Sequence, residues 1–122
     1  MIVSIDLETR SVVEIKAEGL HRYAIHPSTR IIMAAWSVDD GPVQQWDMRS
    51  DLPYDLWELL DDPAAEFRAF NAPFEMQLLH YAWRVGIRPE QWTCTMAWAY
   101  SRAFTGGLAE VGAALGLRAE LL

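Results

Sequence analysis

The chain has 122 residues, 52% of them hydrophobic, with six Trp, four Tyr and four Phe; 17 acidic and 10 basic side chains give a net charge of −7. Length and composition exclude a disordered chain and two full domains, and predict one domain, residues 1–122, around one core. The acidic balance excludes loose electrostatic attachment to nucleic acid, but not carboxylates that hold metal ions against it.

Ile2 to Leu7 is apolar and β-branched and predicts a buried strand. Residues 10–29 read as irregular. Ile31 to Val38 predicts a second strand, Asp39-Asp40-Gly41-Pro42 a turn, and Val43 to Trp46 a third strand that closes a hairpin. Ser50 or Asp51 can cap a helix with Pro53 in its first turn; Leu52, Leu56, Leu59 and Leu60 follow at helical spacing. Phe67 to Phe70 predicts a short strand. A helix starts near Pro73, with Phe74, Leu78, Tyr81, Ala82 and Val85 as its buried stripe, and Gly86 stops it. A brief strand over 92–95 and helices over 96–104 and 108–115 complete the order. The sum is an α/β fold, a mixed parallel and antiparallel sheet with helices packed on it.

Cys94 is the single cysteine. That excludes a disulfide framework and a cysteine metal cluster, and a reducing, cytoplasmic setting is the default. The N-terminus has no basic flank and reaches Asp6 early, unlike a signal peptide, and there is no apolar run of membrane-spanning length, so no membrane partner is expected. The apolar share is slightly rich for a chain this short and predicts a surface that meets a partner.

Two segments carry candidate chemistry. In Asp6-Leu7-Glu8-Thr9, strand alternation sends Asp6 and Glu8 to one face and Ile5 and Leu7 to the other. Such a pair is either a solvated strand end or a site for a hard cation such as magnesium or manganese, whose charge removes the repulsion. In Phe70-Asn71-Ala72-Pro73-Phe74-Glu75 a strand hands over to a helix. Asn71 can cap it, Pro73 suits its first turn, and Glu75 faces the favourable end of the helix dipole. This is either a well-capped helix or a third ligand, since parallel strands bring their C-terminal ends together. His21, His26 and His80 are not at metal spacing, and the tryptophans read mostly as core or interface.

Together these segments resemble the DEDD-type 3′–5′ exonucleases, which have a ribonuclease-H-like fold. Asp6-Leu7-Glu8-Thr9 resembles their first motif. Asn71-Ala72-Pro73-Phe74-Glu75 resembles their second, usually Asn-x-x-Phe-Asp. Gly19 to Thr29, Val38 to Val43 and Leu108 to Leu117 resemble the version found in bacteriophage DNA polymerases of family A. The resemblance covers nearly the whole chain. It implies proofreading hydrolysis of phosphodiester bonds at a single-stranded DNA 3′ end, with two Mg2+ or Mn2+ ions. It implies that Asp6 touches both ions, Glu8 holds the one that activates water, and Glu75 supports the second, partly through water. Glu75 is one methylene longer than the family's aspartate. Thr9, Asn71 and Phe74 are implied to line the terminal nucleotide. The family's third motif, Tyr or His four residues before a final Asp, does not occur after position 108. The expectation is therefore a C-terminally truncated domain, with one ion site weakened and activity weak or absent. Glu110 and Glu120 are the later acids, and Glu110 is expected to be exposed. The competing class is a non-catalytic exonuclease-like binding or assembly module, joined to the rest of a DNA polymerase or to itself. A ribonuclease of the same fold stays open, because nothing in the sequence reports on a 2′-hydroxyl.

Overall fold

A computed structural model describes residues 1–117. The strand that carries the acidic pair is longer than the apolar run alone predicts. β1 spans Ile2–Arg10, so Asp6 and Glu8 lie within it and not at its end. Its pattern is alternation: Val3, Ile5 and Leu7 are buried, while Ser4, Asp6 and Glu8 face outward. β2 (Arg30–Val38) pairs with β1 antiparallel, and β3 (Gln44–Asp47) pairs with β2 antiparallel, giving the expected hairpin. Asp39 and Asp40 take the positive φ of the turn, and Asp39 closes it on the start of β1 by accepting a 2.7 Å bond from the Ile2 N–H.

β4 (Glu66–Ala69) lies parallel to β1 on its other side, and β5 (Trp92–Cys94) lies parallel to β4. The sheet order is β3-β2-β1-β4-β5. This is the mixed sheet of the ribonuclease-H-like fold, flanked by helices.

Between β1 and β2 the chain is helical where the sequence reads as irregular. α1 (Ile15–Glu18) and α2 (Leu20–Ile25) are single short turns separated by Gly19, whose φ of 87° suits a residue without Cβ. α3 (Tyr54–Asp61) buries Leu56 and Leu60; Leu52 precedes it and is exposed. α4 (Ala72–Trp83) buries Leu78 and Leu79 against the inner face of β1 and β4. Two expectations for α4 fail. Tyr81 is exposed, because it turns sideways onto His21 and His80. Arg84, not Gly86, takes the left-handed conformation that ends the helix. α5 (Thr95–Ser101) and α6 (Leu108–Ala114) follow β5.

The core is one-sided. Val3, Ile5, Leu7, Trp36, Phe67, Leu56 and Leu78 form a continuous buried cluster under the helices. Each such side chain contributes about 1.5–3 kcal/mol on leaving water. Trp46, Trp57 and Trp83 extend it with edge-to-face contacts, and Phe67 stacks on Trp92. Among the described residues no helix is long and apolar enough to cross a membrane.

Candidate active site

Two chain segments converge where β4 ends beside the middle of β1. β1 supplies Asp6 and Glu8 from its outer face. The chain leaves β4 through Phe70, turns at Asn71 and enters α4, whose first turn supplies Glu75. The parallel register Ser4↔Arg68 fixes this meeting, because it sets the end of β4 beside Asp6.

Glu75 is the unusual member. It is only 4% exposed, and its Oε2 is buried without a hydrogen-bond partner. Burial pushes its carboxyl up to about 8. Its own backbone N–H and that of Leu7 pull the other way, while the charges of Asp6 and Glu8 raise it further. Burial also raises Asp6 above its ordinary value, and the Leu7 N–H again opposes the rise.

An orphaned, buried carboxylate oxygen facing two further carboxylates is what a hard divalent cation relieves. Three oxygen donors fit Mg2+ or Mn2+ in kind. Among the described residues, however, no three His, Cys, Asp or Glu side chains are already drawn around one point.

Thr9 and Phe74 are joined by a residue that the sequence reading missed. β1 and β2 shift register between Glu8 and Thr9, with Glu8 opposite Met33 and Thr9 opposite Ile31. Thr9 falls on the helical side of the sheet, where its Oγ1 lies 2.7 Å from the Tyr23 hydroxyl. The Tyr23 ring leans on Phe74, with 6.4 Å between centroids. Tyr23, itself buried in the core, thus ties Thr9 to Phe74, and it lies within the Gly19–Thr29 stretch that carries the resemblance. Asn71 stands at the N-cap of α4, but its side chain makes no capping hydrogen bond, contrary to expectation. It is exposed. Glu110 is exposed on α6, as expected, and Glu120 lies outside the described residues.

No protein-family model matches the chain. The DNA polymerase of Bacillus phage SP02 is 32% identical over 120 residues, which is 97% of this chain and 18% of that polymerase. Brucella melitensis NrnC superposes with a TM-score of 0.65 at 24% identity, over 93% of this chain and 52% of the other. The chain carries a ribonuclease-H-like fold. The same NrnC has been solved with bound Mg2+ (TM-score 0.64, 24% identity) and bound to pGG (TM-score 0.66, 23% identity), each over 93% of this chain and 52% of the other. The chain therefore spans about a fifth of the phage polymerase and about half of NrnC. The sequence is thus similar to part of a phage DNA polymerase, and the fold is that of NrnC.

Proposed function

We propose that residues 1–122 form one 3′–5′ exonuclease-type domain of a phage-type DNA polymerase, hydrolysing phosphodiester bonds at the 3′ end of single-stranded DNA. The observation that carries this reading is Glu75: a buried carboxyl with a partnerless oxygen, set among the charges of Asp6 and Glu8. A structural acid at a helix start stays in water. This one is held out of water at the meeting point of two strands.

In this reading Asp6, Glu8 and Glu75 hold Mg2+ or Mn2+, which supplies an activated water and stabilises the charge of the leaving oxygen. The chain's own groups do the rest. The rigid β1 backbone fixes the spacing of Asp6 and Glu8, and the α4 start fixes Glu75. Thr9 and Phe74, tied together by Tyr23, seat the terminal nucleotide with Asn71. The Mg2+-bound and pGG-bound forms of NrnC support the divalent ion and the nucleic-acid ligand. Positions 108–122 offer no Tyr or His four residues before an Asp. In this reading residues 1–122, without that pair, have weak or absent activity on their own. Its place of action is the cytoplasm, that of the host cell if it is phage-encoded.

The test pairs a 3′-labelled single-stranded DNA assay in Mn2+ with thermal unfolding. The expected result is slow shortening from the 3′ end, and a Tm raised by Mn2+ in the parent but not in Asp6→Ala. Equal turnover and an equal Mn2+ response in Asp6→Ala would sink the reading.

One observation favours a second reading, a non-catalytic binding or assembly module. A groove of about 340 Å³ lined by Phe70, Trp98, Phe104, Leu108 and Leu115 leaves apolar side chains in water. Light scattering at high concentration distinguishes the two, since a strict monomer counts against self-association.

A further inference from the structure

Arg68 sits on β4 beside Ser4 of β1, on the same outer face as Asp6. Strand residues two apart lie about 7 Å apart, so the guanidinium belongs to the immediate surroundings of the acidic site. It is half-buried. The indole of Trp98 from α5 lies against it, with 5.2 Å from the guanidinium carbon to the ring centroid. Among the described residues Arg68 has no ion pair and no side-chain hydrogen bond. Arg10 and Arg84 share that lack but are exposed, whereas Arg22 and Arg49 pair with Glu18 and Asp47, and Arg30, Arg88 and Arg102 donate to nearby oxygens. Glu66, two residues earlier on β4, is not within ion-pair distance of it.

A cation partly withdrawn from water, pinned by an aromatic face and left with its donors free, is arranged to receive an anion. The space before it is a cleft of about 430 Å³ that also reaches Asp6, Ser4, Ser37, Phe70 and Thr95. Phe70 and Thr95 continue into the groove beside Trp98, which is 47% exposed. Free guanidinium donors, hydroxyls and exposed aromatic surface along one track are the features that hold a single nucleic-acid strand.

We propose that Arg68, held in place by Trp98, binds a backbone phosphate of the strand whose 3′ end lies at Asp6, Glu8 and Glu75. This rests on the exonuclease reading and adds the path of the strand: inward across the open face of the sheet, from β1 over β4 to α5. Arg68 is a positioning residue; it steers the substrate and touches no reacting atom.

The test measures binding of fluorescein-labelled (dT)8 to the 122-residue chain in Ca2+ across a salt series, with turnover in Mn2+ alongside. Arg68→Gln is expected to raise Kd about tenfold and to flatten the dependence of log Kd on log salt by about 0.7, the share of one phosphate on a single strand. KM follows Kd while kcat stays within about twofold. Trp98→Leu, which keeps the charge but frees it, gives a smaller rise in Kd with the salt slope intact. Equal affinity and equal salt slope in Arg68→Gln, with the parent binding, overturns the phosphate site and leaves the exonuclease reading standing. No binding by the parent overturns both. A variant that changes only self-association in light scattering assigns Arg68 to a protein interface and overturns the proposal too.

Discussion

Glu75→Gln keeps the size of the side chain and removes its charge. In the parent, Glu75 ionises at about 8 in the folded state against an ordinary 4.5. A carboxyl whose folded value is raised is fully accommodated below 4.5, where it is protonated in both states. Between 4.5 and about 8 the unfolded chain ionises while the folded one keeps its proton, so stability falls as pH rises. Above about 8 the loss is complete. At about 1.4 kcal/mol per pH unit it amounts to at most about 5 kcal/mol. A domain of this size holds only about 5–15 kcal/mol, so the effect is large. Urea unfolding in EDTA from pH 4 to 9 should show the parent losing stability while Glu75→Gln stays nearly flat. The variant should therefore be the more stable protein at pH 9. Adding Mn2+ at pH 8 should stabilise the parent more than the variant, which keeps Asp6 and Glu8 but has lost the third carboxylate. Parallel pH profiles for parent and variant would refute the account of Glu75 as a charge held out of water.

Three further outcomes are expected. Leu78→Ala, at a fully buried site on α4, should cost about 2–5 kcal/mol in urea unfolding, because the helix sits on the sheet through this residue. Tyr23→Phe removes the 2.7 Å bond to Thr9, so it should cost about 1 kcal/mol of stability and raise KM for single-stranded DNA more than it lowers kcat. Ala substitution of Asp6 or Glu8 should stabilise the metal-free chain near pH 8, where each no longer repels Glu75, and should lower its affinity for Mn2+ in a calorimetric titration.

Much of the fold is legible in the sequence because its signals are strong and local. The hairpin follows from two apolar runs around Asp39-Asp40-Gly41-Pro42, and the parallel strands from their separation by helices. The 10–29 segment is not legible, for a physical reason. α1 and α2 have four and six residues, too short for a 3.6-residue period to repeat. They are held by tertiary contacts of Tyr23 and Ala24 instead. Asp6, Glu8 and Glu75 are found through motif order. Arg68 is not, because its role depends on strand pairing: it becomes a neighbour of Asp6 only through the parallel register with β1. The missing cap at Asn71 is not legible either, since its exposed side chain does not fold back onto α4.

The sheet order also sets when the site comes into being. β1 finds β2 within the first 38 residues, a short antiparallel closure. Its parallel partner β4 lies more than sixty residues away, as the Ile2↔Glu66 pairing shows. Closing that longer loop is the slower event. The meander of β1, β2 and β3 should therefore form first, with Asp6 and Glu8 already spaced but without their third carboxylate. Docking of β4 and α4 then delivers Glu75 and completes the triad. By the same order, a local opening of β4 and α4 would carry Glu75 away from Asp6 and Glu8 while the hairpin persists, and hydrogen exchange should find amides of α4 less protected than those of β1 and β2.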